Sequence, residues 1–170
     1  MLCSKNMELS QNKNSNKMKK VTFILLLLLT LQCKSQFLTV KQAETLMGKV
    51  KFEATTIIAN YGYKKTMSSV SDMLTFEKNY ELGNMTLTIA ILNGKINAIS
   101  WTIHPIMLDQ FRREAMSEGF SQKEIQAARV LPFINIKRGL LLNFIDNTAN
   151  RNEVVLVLGK SSQSDINQYK

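Results

Sequence analysis

The sequence predicts an α+β domain in which an antiparallel meander sheet of about six strands packs against a long N-terminal helix and a central helix pair. Two patterns support this fold class. Apolar residues recur at helical spacing between Thr39 and Asn60, and they alternate with polar residues between Met85 and Ile103, as in paired strands. Asn93-Gly94 separates the two alternating runs and favours the type I′ turn of a β-hairpin. The predicted order is α-β-β-β-β-α-α-β-β.

The first element is predicted as one helix from Thr39 to Asn60. Thr39 and Gln42 form the pattern of a capping box, in which the Thr oxygen accepts a backbone N–H and the Gln side chain reaches back to the cap. Gly62 follows, and glycine tolerates the left-handed conformation in which helices often end. Short strands are then predicted at 64–70 and 73–79.

The hairpin comes next, and its register divides its side chains between two faces. A two-residue turn places Leu92 opposite Lys95, and an uninterrupted ladder then brings Thr86 opposite Trp101. One face is apolar and is predicted to join the core. The other face is mixed and has the single tryptophan near its centre. It comprises Thr86, Thr88, Ala90 and Leu92 on the first strand and Asn97, Ile99, Trp101 and Ile103 on the second.

The chain from Pro105 onward is predicted to form a helix pair and two strands. Because proline is favoured at the first helical position, a helix is expected from Pro105 to Glu118 and is ended by Gly119. Ser121 and Glu124 form a second capping box, which predicts a short helix closed by Pro132. The final strands are expected at 133–146 and 153–158, before a polar tail at 159–170.

A weak internal repetition accompanies this order. Tyr61-Gly62-Tyr63 and Glu118-Gly119-Phe120 each follow a helix, and Leu74-Thr75-Phe76 is echoed by Leu142-Asn143-Phe144. Two interpretations stay open: an old duplication of a helix-plus-meander unit, or chance recurrence of helix-ending Gly and strand Phe. The element order is loosely similar to that of the type III secretion chaperones and of the β-lactamase-inhibitor-protein fold. A resemblance of this kind implies a fold and not a function.

The N-terminal region has the layout of a bacterial secretory signal peptide. Met18-Lys19-Lys20 precede the apolar run Val21–Leu31, which is shorter than the roughly 20 residues that span a bilayer. We therefore expect a leader region at 1–35, with the signal peptide at 18–35. Residues 1–17 are then a mis-called start or an unusually long n-region. A single domain is expected at 36–158, and its expected location is the periplasm or the medium.

Two processing routes compete at the end of the leader. Cleavage after Ser35 places the small residues Ser35 and Cys33 where signal peptidase requires them. The alternative is an outer-membrane lipoprotein that is lipidated at Cys33, although Thr30 and Gln32 fit a lipoprotein signal poorly. Contact with a membrane is expected only if Cys33 is lipidated.

Composition argues against nucleic acid, metal and cofactor. The net charge of +9 lies mostly in the leader: residues 1–35 carry six Lys and one Glu, which leaves 16 basic and 12 acidic residues, a balance of +4. These form no dense basic stripe of the kind that binds nucleic acid. One His, and no Cys after residue 35, argue against a zinc site.

No catalytic signature is present in the sequence. It contains no Gly-rich phosphate loop and no Gly-x-Ser-x-Gly motif. His104 could act as a general base, but a lone His before Pro105 is more typical of a cap or strand exit. We expect a protein that is not an enzyme and has no cofactor, and a hydrolase using His104 ranks last among the hypotheses.

Trp101 makes the mixed face of the hairpin the candidate binding site, because Trp is enriched at interaction hot spots. The expected partner-binding residues are Trp101, Ile99, Ile103, Thr86 and Thr88. In the alternative, a helix or the chain ends cover this face and Trp101 is a core residue. The leading hypothesis is an exported non-catalytic domain that binds another protein, as an inhibitor or immunity protein does. The second is a lipid-anchored envelope protein with a structural role, tethered at Cys33.

Overall fold

Eight strands and four α-helices follow from residue 40 onward in the computed structural model, which describes residues 37–66, 70–80, 83–123, 130–147 and 152–168. The helices are α1 (Val40–Leu46), α2 (Lys51–Asn60), α3 (Leu108–Ser117), preceded by a 3-10 turn (Pro105–Met107), and α4 (Gln163–Gln168). The strands are β1 (Lys64–Lys65), β2 (Met73–Tyr80), β3 (Gly83–Leu92), β4 (Lys95–Ile103), β5 (Ser121–Gln122), β6 (Val130–Asn135), β7 (Leu140–Asp146) and β8 (Val154–Lys160).

The strands form one antiparallel sheet in the order β1-β2-β3-β4-β8-β7-β6-β5. The predicted α+β class and antiparallel sheet are confirmed. The predicted six strands and element order are wrong, because the segment expected as one strand at 133–146 lies in two, β6 and β7, and β5 is an additional strand. A turn that contains Gly139 at φ +63° separates β6 from β7.

The central helix pair is also corrected. Its first member is confirmed as the 3-10 turn and α3, and Gly119 follows at φ +85°. Its second member was expected to start at Ser121, but Ser121 pairs with Ile134 as part of β5. Pro132, expected to close that helix, lies within β6 opposite Asn143. Glu124 lies outside the described residues.

The long first helix is broken in two at Gly48. Thr39 and Gln42 do form the predicted capping box. After Met47, however, Gly48 adopts φ +78°, and its N–H donates to the Ile96 carbonyl at 2.9 Å. The Ile96 N–H in turn donates to the Lys49 carbonyl at 2.9 Å. The chain between α1 and α2 therefore pairs with the start of β4, and these backbone bonds replace those of a continuous helix.

The hairpin turn is confirmed, but the register beyond it is wrong by one residue. Asn93 and Gly94 both have positive φ, as a type I′ turn requires, and Leu92 lies opposite Lys95. After the next pair the register shifts, so that Ala90 lies opposite Ala98 and Asn97 is the extra residue of a β-bulge. Because side chains alternate between faces, this shift turns Ile99, Trp101 and Ile103 to the face opposite to the predicted one.

Two α-β-β-β-β units make up the described chain from α2 to β8. Helices α2 and α3 have the same length, and their residue numbers differ by 57 (51 against 108). The same difference relates Gly62 (φ +86°) to Gly119, and buried Tyr63 to buried Phe120. It also relates β1 to β5 (64 against 121) and the first residues of β2 and β6 (73 against 130). The strand echo predicted at Leu142-Asn143-Phe144 is misplaced, since β2 corresponds to β6.

A pseudo-two-fold axis relates the two units at the centre of the sheet. Strands β4 and β8 pair there, and Ser100 lies opposite Val157, whose number is again 57 higher. A residue that is paired with its own equivalent lies at the axis. The two units therefore meet edge to edge through their last strands and form one continuous sheet.

In both units, a strand side chain caps the C-terminal end of the helix in the same way. The Lys78 Nζ donates to the Tyr61 carbonyl at 2.8 Å, just after α2. In the second unit the Asn135 Nδ2 donates to the Glu118 carbonyl at 3.1 Å, just after α3. A strand side chain thus satisfies a carbonyl that has no partner within the helix. We call these two hydrogen bonds the helix-exit bonds.

Helices α1, α2 and α3 pack on one face of the sheet, which we call the inner face. The core joins their buried side chains, such as Leu46, Ile58 and Phe111, to the inward residues of the strands. Trp101 lies in this core, and its ring centroid is 6.5 Å from that of Phe111.

The C-terminal segment is more structured than the predicted polar tail at 159–170. Strand β8 continues to Lys160, and α4 occupies Gln163–Gln168. The Ser161 N–H donates to the Gly139 carbonyl at 2.9 Å. Among the helices in the described ranges, none has the length and apolar character needed to cross a membrane.

Candidate functional site

The five predicted partner-binding residues lie on two different faces of the sheet. Ile99, Trp101 and Ile103 are at most 1 % exposed and belong to the core on the inner face. Thr86 and Thr88 are half-buried on the opposite face. The mixed platform expected around Trp101 therefore does not form, and the alternative, in which Trp101 is a core residue, describes its position.

The opposite face of the sheet, which we call the outer face, is uncharged at its centre. Its half-buried residues alternate with the core residues along each strand. Four neighbouring strands, β3, β4, β8 and β7, form this central part of the sheet. Between their ends, no outward position on these four strands holds a charged side chain. The outward residues there are Asn84, Thr86, Thr88 and Ala90 on β3; Ala98, Ser100 and Thr102 on β4; Val155, Val157 and Gly159 on β8; and Leu141, Asn143 and Ile145 on β7.

The two units contribute different chemistry to the outer face. The pseudo-two-fold axis relates Ala98 to Val155 and Ser100 to Val157. The first unit presents mainly hydroxyl groups, and Thr75 Oγ1 and Thr88 Oγ1 lie 3.4 Å apart across β2 and β3. The second unit presents mainly aliphatic side chains. The face therefore has a hydroxyl-rich half and an apolar half that meet at the axis.

Strands β3 and β4 separate at one end of the sheet. Their last paired residues are Leu87 and Trp101. Beyond them β3 pairs with β2, and β4 pairs with β8. The Thr86 N–H donates to the Thr102 Oγ1 at 2.9 Å, where a regular ladder would use a backbone carbonyl.

A cleft of about 430 Å³ lies at this separation, and we call it the sheet-end cleft. Four strand ends position its walls. The polar residues that line it are Tyr80, Asn84, Thr102, His104, Asn152 and Glu153.

The polar groups of the cleft are joined to the ends of the strands. Burial raises the pKa of Tyr80, a hydrogen bond from the His104 backbone opposes the rise, and the Glu153 carboxylate adds to it. Glu153 Oε2 accepts a hydrogen bond from Asn147 Nδ2 at 3.1 Å. The His104 Nδ1 accepts from the Ile106 N–H at 3.3 Å and caps the 3-10 turn.

This capping role bears on the hydrolase hypothesis. Within the described part of the chain, the His104 ring makes no hydrogen bond to an acid or to a hydroxyl nucleophile. A general base needs such a partner within reach. His104 is therefore placed as a strand-exit cap, as the sequence favoured.

A charged cluster joins α1 to α3 away from the cleft. The Arg138 guanidinium pairs with Glu44 and lies 3.7 Å from Glu118. Glu114 Oε1 accepts from the Lys41 N–H at 3.4 Å, at the start of α1. Burial raises the pKa of both Glu44 and Glu114, and Arg138 opposes the rise at Glu44. These contacts hold the first turn of α1 on α3 and explain the cluster structurally.

A second cavity, of about 500 Å³, lies beside β1 and is lined in part by Lys64, Glu77 and Lys78. Burial lowers the pKa of Lys78. Its ammonium group forms a helix-exit bond and lies 5.5 Å from the centroid of the Tyr63 ring. Lys78 is therefore already occupied in holding the end of α2.

No group of three or more His, Cys, Asp or Glu residues in the described ranges could hold a metal ion. The predicted signal peptide at 18–35 and the predicted lipidation site Cys33 lie outside those ranges. Comparison with protein-family models, curated proteins and solved structures yields no significant match. The likeness to the β-lactamase-inhibitor-protein fold was based on the predicted element order, which the structure corrects.

Proposed function

We propose that this protein is an exported, non-catalytic domain that binds another protein through the outer face of its sheet, in the manner of an inhibitor or immunity protein. The observation that carries the proposal is the uncharged centre of that face. A sheet face that only meets water usually carries polar and charged side chains along its whole length. Here the charged residues Lys64, Glu77 and Lys95 lie towards its margins.

The residue types on the outer face favour association. Ser, Thr, Val and Ala lose less side-chain entropy on being fixed than Lys or Glu, whose burial costs up to about 2 kcal/mol. Interface centres are depleted of charged residues in the same way. The hydroxyl-rich half and the apolar half together suit a protein partner better than nucleic acid, which would require cationic groups.

The export part of the proposal rests on the sequence. Lys19-Lys20 followed by Val21–Leu31 supports a signal peptide at 18–35 and a periplasmic or secreted protein. The second candidate is a lipid-anchored envelope protein, which the position of Cys33 just after the apolar run favours. Intact mass and palmitate labelling separate the two. Acyl mass on an N-terminal Cys33, lost in Cys33→Ser, supports the anchor, whereas an unmodified start at Gln36 contradicts it.

Site-specific crosslinking in the native host tests the outer face. A photo-reactive phenylalanine analogue is placed at Ser100 or Val157, which lie opposite each other on β4 and β8. The matched control places it at Phe52, which is 84 % exposed on α2. We expect one protein to be captured from both sheet positions and not from Phe52.

A charge variant makes this test specific. Thr88→Lys adds a cation at the centre of the outer face and should abolish capture from Ser100, while circular dichroism shows the fold unchanged. Capture that survives Thr88→Lys, or that occurs equally at Phe52, would contradict the proposal.

A further inference from the structure

The sheet-end cleft is lined by the carboxylate of Glu153. Glu153 is half-buried and forms no ion pair with any described residue. It uses Oε2 to accept from Asn147, and within the described ranges Oε1 has no hydrogen-bond partner. A half-buried charge normally has a partner, because desolvation without one is costly. With respect to the described residues, Oε1 is therefore available to a ligand in the cleft.

The other groups of the cleft add hydrogen-bonding capacity without positive charge. Thr102 Oγ1 and the amide of Asn84 can accept from an N–H donor. The His104 Nδ1 accepts a hydrogen bond from the Ile106 backbone N–H. No Lys or Arg belongs to the described lining. The described lining, with Glu153 as its one charged side chain, therefore favours cations over anions.

We infer that the sheet-end cleft is a binding site for an organic cation with N–H donors, a guanidinium or primary ammonium group, which pairs with Glu153. A guanidinium presents several donors in one plane and can bond a carboxylate and a neighbouring amide together. The cleft volume of about 430 Å³ lies within the range of small-ligand sites. The inference does not depend on protein binding at the outer face.

Titration with L-arginine amide tests the site. Chemical shifts of the backbone amides of Asn84, Thr102 and Glu153 are followed by NMR in the purified protein. We expect saturable shifts at these three positions. L-citrulline amide has nearly the same shape without the charge and should give none. Gly-Arg-Gly tripeptide distinguishes the source: tighter binding than arginine amide indicates a protein side chain, and weaker binding indicates a free small molecule.

Two variants assign the binding to the carboxylate. E153Q should weaken binding of arginine amide about tenfold or more, since a hydrogen bond to a charged group is worth about 1.5–3 kcal/mol. E77Q removes the same charge from an exposed residue of β2 and should leave binding unchanged. If E153Q does not fold, N84A takes its place, with a weaker but measurable loss expected. Shifts that do not saturate, or equal binding by citrulline amide or E153Q, would overturn the inference.

Discussion

Replacing Trp101 tests whether this residue stabilises the core or binds a partner. The side chain is 1 % exposed and packs against Phe111. A buried aromatic side chain of this size removes about 150–250 Å² from water, or about 4–6 kcal/mol at 25 cal/mol per Å², and this is an upper estimate. We expect Trp101→Ala to lower the free energy of unfolding by about 3–5 kcal/mol, in line with other aromatic truncations.

Trp101→Phe sharpens this prediction. The indole Nε1 is buried and donates no hydrogen bond among the described residues. A buried donor without a partner costs about 1–3 kcal/mol, so its removal offsets part of the lost packing. We expect Trp101→Phe to lose less than about 1.5 kcal/mol, because the benzene ring still fills much of the site.

Urea unfolding followed by circular dichroism measures both variants. The control is Ser100→Ala, the residue before Trp101 along β4, which is half-buried on the outer face. If Trp101→Ala costs less than about 1 kcal/mol, the core placement is wrong, since full burial of an aromatic ring cannot be that weak. If Trp101→Phe costs as much as Trp101→Ala, the indole N–H has an essential partner.

Three further predictions concern the helices. Lys78→Met and Asn135→Ala each remove a helix-exit bond and should lower the free energy of unfolding by about 1–2 kcal/mol, measured by urea unfolding. Gly48→Ala should cost about 1 kcal/mol, because φ is +78° while no atom lies within 4 Å of the added Cβ. Burial raises the pKa of Glu44 above 4.5, so the folded state binds a proton at this carboxyl more tightly than the unfolded state does. Protonated Glu44 therefore stabilises the fold at low pH, and this stabilisation is lost as pH rises above 4.5. Glu44→Gln should therefore reduce the fall in unfolding free energy with rising pH in that window.

Matched controls exist for two of these changes. Gly159→Ala introduces a Cβ at ordinary contact distance, 3.8 Å from the Ala98 Cβ, on a backbone without positive φ, and it should be tolerated better than Gly48→Ala. Glu77→Gln removes an exposed carboxylate and provides the comparison for Glu44→Gln. A Glu44→Gln profile that matches the wild type would contradict the role assigned to burial.

Local turn chemistry was the part of the fold that the sequence predicted well. Asn93-Gly94 leaves few conformations other than a type I′ turn. Gly62 and Gly119 end their helices because both need positive φ. These signals act within a few residues, so tertiary contacts do not alter them.

The errors came from contacts that are distant in sequence. The break at Gly48 is held by hydrogen bonds to Ile96, about fifty residues later, and the apolar spacing on either side does not reveal it. Ser121 fits a capping box but pairs with Ile134, so a strand partner outweighs the local preference. The bulge at Asn97 is reflected in the spacing of apolar residues along β4. The buried residues Ile96 and Ile99 are three positions apart, whereas regular alternation requires two.

That one misplaced register accounts for the error in the predicted site. The Asn93-Gly94 turn correctly sets Leu92 opposite Lys95, but strict alternation from that pair assigns Trp101 to the wrong face of the sheet. The placement of Thr86 and Thr88 on the outer face was unaffected, because they precede the turn. The sheet-end cleft could not have been predicted, because it depends on where β3 and β4 separate.

The seam between β4 and β8 has a consequence for how the chain folds. Within each unit, strands that are neighbours in sequence pair with each other, so their loops are short and inexpensive to close. The β4–β8 pairing instead joins residues that are more than fifty positions apart, as at Ser100 and Val157. We expect the four strands of each unit to pair quickly, and we expect formation of the β4–β8 pairing to limit the folding rate. A β-bulge or charge placed in the seam would then slow folding more than one placed in either outer hairpin.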